Sequence, residues 1–450
     1  MGLRTAFVAL CIGVISAATP AMAQYVPPGG STTEPRQFEG SELYRMSAGQ
    51  SASLPSVEFG DSWNPDTGEV SFTQTDISIP GNSVLPVGVT RSRSRTAIAM
   101  FSDGMFGDWE LNLPRVEYTW RNTVQAYFEA TRCRVPRPSD QYNINGNAYR
   151  PYAFYFGMRI HDFGGQSHLI LQPDSRWPST ALGLSPTLTT KSLWKISCLP
   201  NATNGHDGFL ATSPNGTTYR FDREVHRRGI KRNGTTVSNL QISVYPSLVT
   251  DVHGNTVSYT YNTHGPTKIQ SSDGRIINLT YNAAGQITKV TSGSRVWNYF
   301  YESRYGRTFL SRVQQPDGRE WQYQAFENLD WANHTERDYL DCTILPHWGG
   351  IGWRPAYDLG DISVVHPNGT RMIATFAQVK NGRTFGMPRT TPNYWYTNRC
   401  RTSAYNNDNY VVSLAVNQKK IEQVDGTVYT WSYSYDEDEG TYSGDNSLPD

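Results

Sequence analysis

Among nine histidines, His161 and His168 stand on either side of a segment that also holds Asp162, and His334 stands four residues from both Asp330 and Asp338. On a helix the second spacing would put one imidazole and two carboxylates on a single face, a set able to ligate a metal ion. Asp436-Glu437-Asp438-Glu439 offers hard oxygen ligands of the kind Ca²⁺ takes. Each has a plainer reading, because solvated surface carboxylates are far commoner than such sites and no sustained helical periodicity supports the helix. No nucleophile elbow, His-Glu-x-x-His helix, phosphate-binding loop or dinucleotide glycine triad occurs. The residues therefore predict no catalytic centre, no cofactor and no metal site.

A second chemistry is suggested by Tyr259, Tyr299, Trp321, Tyr323, Tyr429 and Trp431, since an aromatic face can stack on a sugar ring. They alternate, however, with Ser258, Thr260, Thr430 and Ser432, which places the rings on one face of a strand and the hydroxyls on the other. That pattern predicts a buried face, Trp431 included, on which each ring contributes about 2–3 kcal/mol. Sugar binding would instead require several of these rings to lie exposed along a groove.

The elements that must position these residues repeat. A turn dipeptide ending in Gly recurs at Gly216, Gly254, Gly274, Gly318, Gly369 and Gly426, with apolar residues three and five positions later and, in all copies but the first, a third at seven. Gly254 leads to Val257, Tyr259 and Tyr261; Gly274 leads to Ile277, Leu279 and Tyr281; Gly318 leads to Trp321, Tyr323 and Ala325. Asn-Gly and Asp-Gly are strong hairpin signals, and spacing by two is that of a strand. Gly254 and Gly274 lie twenty residues apart, and Tyr261-Asn262 and Gly265 recur in the same frame as Tyr281-Asn282 and Gly285. A further copy follows in which Ser294 stands in the Gly position and Trp297, Tyr299 and Tyr301 keep the face. Such self-similarity predicts stacked hairpins that bury a face only against their neighbours.

Tyr261-Asn262-Thr263-His264-Gly265 and Tyr281-Asn282-Ala283-Ala284-Gly285 resemble the tyrosine-aspartate (YD, or Rhs) repeat, with Asn in place of Asp. Upstream, Thr75-Asp76-Ile77-Ser78-Ile79-Pro80-Gly81, then Arg91-Ser92, then Phe106-Gly107-Asp108-Trp109 through Pro114-Arg115, resembles the segment that introduces these repeats in large bacterial surface and secreted proteins. The resemblance implies an all-β fold: antiparallel hairpin repeats in a curved or spiralling sheet, part of a hollow shell that in some members encloses a toxic C-terminal domain. Here no self-cleavage core and no enzyme-like tail can be read, so the toxin reading has no residues to rest on.

Residues 1–23 read as a signal peptide with Arg4 in the leading region, an apolar run, and cleavage between Ala23 and Gln24. Residues 24–56 read as a Pro/Gly/Ser-rich tether, 57–132 as an introductory β region, 133–207 as an irregular insertion packed on the sheet, and 208–326 as hairpin repeats. A second insertion at 327–361, further repeats at 362–435 and an acidic flexible tail at 436–450 complete the chain. With 40 basic and 40 acidic residues, neither nucleic acid nor an acidic membrane is indicated as a partner, and no membrane span remains once the signal is removed. Cys133, Cys198, Cys342 and Cys400 make an even set for an oxidising compartment. Sequential pairing would staple each insertion; cross-pairing and free buried thiols stay open. The sequence thus predicts an exported, periplasmic, surface or extracellular scaffold without enzymatic activity that contacts a protein or carbohydrate partner. A carbohydrate-binding adhesin, or a remnant of a toxin-delivery shell without cargo, are the alternatives.

Overall fold

The computed structural model describes residues 59–63, 70–94, 100–101, 104–121, 142–144, 147–149, 155–171, 188–203, 206–230, 236–304, 306–331, 361–382 and 410–434. The stretches read above as a leader (1–23), a tether (24–56) and an acidic tail (436–450) lie outside the described residues. What is described is antiparallel strand almost throughout, with one helical turn.

A front sheet is built from β1 (Asp61–Trp63), β2 (Val70–Ser78) and β3 (Gly88–Ser94), joined past the short β4 (Met100–Phe101) by β5 (Glu110–Leu111), in the order β1-β2-β3-β5. Its alternation is that of a half-buried sheet: Val70, Phe72, Ile77 and Val89 are buried, while Thr73 and Thr75 between them are not.

The second sheet begins with β6 (Arg115–Arg121), then β9 (Tyr155–His161), β10 (Ser167–Leu171), β11 (Leu188–Thr190), β12 (Lys195–Thr203), β13 (His206–Thr212), β14 (Thr218–Ile230) and β15 (Thr236–Thr250); β7 (Tyr142–Ile144) and β8 (Asn147–Tyr149) form a separate pair. Each strand from β9 to β15 pairs with the next, and β6 pairs with both β9 and β15, so the ladder closes on itself. Within the stretch 133–207, β9 to β12 are rungs of this ladder. The alternation escapes notice there because β11 has only three residues and β12 shifts register between Leu199 and Thr203.

The repeats follow as β16 (Thr256–Tyr261), β17 (Pro266–Ser271), β18 (Ile276–Tyr281), β19 (Ile287–Ser292), β20 (Arg295–Arg304), β21 (Arg307–Gln314), β22 (Glu320–Gln324), the helical turn α1 (Asn328–Trp331), β23 (Asp361–Val365), β24 (Arg371–Gly382), β25 (Tyr410–Glu422) and β26 (Val428–Ser432). Each pairs with its successor, and β16 pairs with the last residues of β15, whose earlier part is held by β6. Val257 and Tyr259 on β16, and Ile277 and Leu279 on β18, are buried, whereas Ser258, Thr260, Asn278 and Thr280 face solvent.

All six turn glycines adopt positive φ, from 83° at Gly216 to 93° at Gly369. Their N–H groups each bond the carbonyl three residues back, as from Gly274 to Ser271 at 3.1 Å, while Ser271 N bonds Arg275 O at 2.9 Å. This is a three-residue loop with a bulge at Gly rather than a two-residue hairpin. The Asp or Asn just before Gly caps it, as Asn215 Oδ1 accepts from Thr217 N and Asp425 Oδ1 from Thr427 N; where His253 takes that place, Asp251 Oδ1 accepts from His253 N and Asn255 N instead. The copy lacking Gly at the expected position is a different turn, in which Ser292 pairs with Arg295 and Gly293 carries the positive φ of 60°. A Cβ on Gly274 would meet nothing within 4 Å, so a substitution there is opposed by conformation alone. Gly274→Val is expected to lower stability by about 2 kcal/mol, read from the denaturant midpoint; no loss would contradict a turn held in the left-handed region.

The looser turn explains the Tyr-Asn-x-x-Gly signature. Asn282 Oδ1 accepts from Ala284 N and Gln286 N, closing the loop. The tyrosine before it reaches back one unit: Tyr261 Oη donates to Pro246 O at 2.6 Å, Tyr281 Oη to Pro266 O at 2.9 Å and Tyr301 Oη to Ile287 O at 2.5 Å. The repeated tyrosines therefore rivet successive hairpins through a hydroxyl that burial would otherwise leave unsatisfied.

Candidate functional site

The front sheet lies on the buried face of the repeats, and the introductory motif supplies the contact. β3 carries Arg91 and Arg93 on one face, and β2 brings Asp76 to Arg91 at 2.9 Å with both side chains almost wholly buried. Arg91 Nη2 donates to Tyr323 Oη at 2.6 Å, and its guanidinium lies 4.7 Å from the centre of the Trp109 ring. The same Asp76 oxygen accepts from Tyr299 Oη at 2.9 Å. Burial works against the Arg91 charge, but Asp76 and Tyr323 more than offset it and hold the guanidinium above its ordinary value. Burial, with the Asp76 carboxylate alongside, pushes the Tyr299 hydroxyl well above the usual phenol range, so it stays a donor.

A second pair lies beside the first. Arg93 sits 2.7 Å from Asp108 and donates to Phe326 O at 3.0 Å, while Asp108 Oδ1 accepts from Leu310 N at 2.8 Å. Gly107 allows this approach: its φ is 70°, and a Cβ there would stand 2.8 Å from Thr308 O. Aromatic rings fill the space between the pairs, with Phe106 4.7 Å from Tyr299, Trp109 4.9 Å from Tyr323 and Phe72 5.1 Å from Phe326. Phe326 reaches this position because Ala325 turns the chain at a φ of 58°, ending the strand that the apolar spacing would have continued.

Further contacts pin the front sheet along its length. Arg275, bonded to Asp273 on the turn before β18, donates to Ile79 O and Ser83 Oγ, and Glu110 takes both Nη atoms of Arg227. Lys419 on β25 holds Asp61 at 2.5 Å, both buried. Sequence reasoning missed Lys419; the available signal was its place two residues before Ile421, on the aliphatic parity of the strand.

His161 pairs in register with Ser167 and His168 with Ile160, so the two rings point to opposite faces. His168 Nδ1 is 2.9 Å from Ser192 Oγ and Nε2 is 3.6 Å from Asp162, whereas His161 Nε2 lies 3.9 Å from Glu117. Asp330 is the last residue but one of α1; His334, Asp338 and the 436–439 acidic run lie outside the described residues, as do Cys133, Cys342 and Cys400. Cys198 sits on β12 opposite Phe209.

The six aromatics divide. Tyr259, Tyr299, Trp321 and Tyr323 are buried, which leaves no face for a sugar. Tyr429 and Trp431 are 51% and 44% exposed, stacked with centroids 6.2 Å apart, contrary to the burial expected of Trp431. The front sheet reaches β25 through Asp61, and β26 carries the same residue pattern one strand further.

His161 gives the protein an acid-sensitive point. Burial first, and then Arg115, lower its imidazole from 6.5 to about 3, with Arg159 and His168 acting in the same direction. Burial alone would raise Glu117, but Arg115 at 2.7 Å outweighs it and lowers the carboxyl to about 2. The unfolded chain binds a proton on His161 near pH 6.5 and the folded chain refuses it until about 3, so stability falls as pH drops through that window. Glu117 adds a further loss below 4.5. Denaturant midpoints are expected to fall from neutrality downward, and His161→Gln to flatten the upper part of that profile; an unchanged slope would contradict a buried neutral imidazole.

No protein-family model and no curated protein matches the chain. Among solved structures, 90% of the chain aligns with TcdB2-TccC3-TEV at 14% identity and TM-score 0.24, spanning 16% of that chain. The N-terminal domain of the effector protein SpvB from Salmonella typhimurium strain LT2 aligns with 80% of the chain and over 100% of its own, at 11% identity and TM-score 0.21. A porin-like protein from Bacteroides uniformis ATCC 8492 aligns with 55% of the chain and 86% of its own, at 12% identity and TM-score 0.19. At these scores the three likenesses carry no functional conclusion, and the all-β architecture rests on the strand pairings themselves.

Proposed function

We propose that the protein is an exported β-repeat scaffold without enzymatic activity, built as the opening part of a YD-repeat shell and presenting its surface to a partner. One observation carries this reading: Asp76, Arg91 and Trp109, which bear the resemblance to the introductory segment, meet the repeat residues Tyr299 and Tyr323 in a buried junction, and Asp108 beside them accepts from Leu310 N. Groups of that reactivity serve cohesion there, holding one sheet on another. Export follows from the leader, and the four remaining cysteines are proposed to pair sequentially.

Material recovered from the periplasm or medium is expected to begin at Gln24 and to contain no titratable thiol. Intact mass and thiol titration check both; a retained leader would contradict export by cleavage, and four reactive thiols would remove the disulfides. A second reading, carbohydrate binding, is favoured by the exposed Tyr429 and Trp431 pair alone. Glycan-array binding abolished by Trp431→Ala, with the melting temperature kept, would replace the scaffold by an adhesin.

A further inference from the structure

We propose that β26 is a homodimerisation edge, pairing antiparallel with β26 of a second copy about a two-fold axis through Thr430. This does not depend on the scaffold reading. The inner strands of the repeat array are paired on both edges, as β18 is by β17 and β19. β26 is in register with β25 along all five residues, and among the described residues no strand is in register with its other edge, the short β4 being paired with β14.

All five residues of β26 are exposed, and the strand Val428-Tyr429-Thr430-Trp431-Ser432 contains none of the features that discourage edge pairing: no charge, no proline and no bulge. Its backbone polarity can be assigned. Tyr433 N donates to Asn417 O, and Thr427 O accepts from Gln423 N, so residues of odd number turn their polar groups toward β25. By alternation Val428, Thr430 and Ser432 turn theirs outward. A two-fold axis through Thr430 then makes hydrogen-bonded pairs of Thr430 with Thr430, and of Val428 with Ser432, across the copies.

The side chains favour a second copy over an unrelated strand. The segment is nearly palindromic about Thr430, with an aromatic on each side, so Tyr429 of one copy stands opposite Trp431 of the other, twice, on the same face. Aromatic cross-strand pairs are among the stabilising ones, and a strand without charge brings no like charges together on self-pairing. Tyr429 and Trp431 already stack within one copy, so pairing extends two rings into four.

Sedimentation velocity of the mature full chain over a rising concentration series is expected to show a monomer–dimer equilibrium. Thr430→Pro removes an outward N–H and spares the ladder to β25, a position at which an edge strand tolerates proline, and is expected to weaken the dimer at least about tenfold. Trp431→Lys, which sets a cation against each Tyr429, is expected to act likewise. In the unaltered protein the Thr430 and Ser432 amides should exchange more slowly as concentration rises. A monomer at every concentration, a dimer indifferent to Thr430→Pro, or Thr430 protection independent of concentration, as when another segment of the chain covers the edge, would each overturn the proposal.

Discussion

Replacing Asp76 with alanine is expected to lower the stability of the protein by about 3–5 kcal/mol, as removal of one partner from a buried ion pair does. The cost arises from what stays behind. Arg91 is wholly buried between Trp109 and Tyr323, and without Asp76 its Nε has lost its acceptor while Tyr299 Oη has lost the same oxygen. The guanidinium can neither reach water nor release its proton, since its ordinary pKa is already above the working range. Combining Asp76→Ala with Arg91→Met, which removes both charges, should recover much of the loss, and the double-mutant cycle then isolates the coupling. Urea denaturation measures all four states. A cost below about 1 kcal/mol for Asp76→Ala would mean that the front sheet detaches easily and the junction is not cohesive.

Trp321→Ala and Trp431→Ala should differ as sharply as their surroundings. Trp321 is buried, 4.6 Å from His366 and 6.4 Å from Tyr323 between ring centres, and its truncation is expected to cost about 3–5 kcal/mol. Trp431 belongs to the same kind of repeat at the far end of the sheet, and its truncation should stay within about 0.5 kcal/mol in the monomer. Equal losses at dilute concentration would show that β26 is covered in the folded monomer.

The hairpins were legible because each carries its own instructions: a capped turn with Gly in the left-handed region, then side chains at a spacing of two. Tyr261, Tyr281 and Tyr301 were visible as a recurring letter, though not as rivets, since the carbonyl each one reaches lies in the preceding unit. The closure of β6 onto β9 and β15 was not legible, because pairing between strands so far apart leaves no local pattern, and β11 is too short to show alternation. The junction was half legible. Asp76, Arg91, Asp108 and Trp109 could be picked out as a signature, but Tyr323 is 232 residues from Arg91 and Lys419 is 358 from Asp61, separations at which spacing says nothing about contact. Trp431 was misjudged for the opposite reason: its local pattern is that of a core residue, and burial depends on a second layer that the strand itself does not encode.

The front sheet touches β14 at Arg227, the turn before β18 at Arg275, β20 and β22 through their tyrosines, and β25 at Lys419. These contacts are set at intervals along one sheet, while the hairpins beneath repeat one turn and strand pattern. Excising one hairpin would leave every remaining turn intact and yet carry each later contact about 10 Å out of place, two strand spacings across the sheet. The front sheet is therefore a gauge that fixes how many hairpins may lie between the closed ladder and β25. Duplication and loss, the usual way repeat arrays change length, are open to this protein only beyond that point.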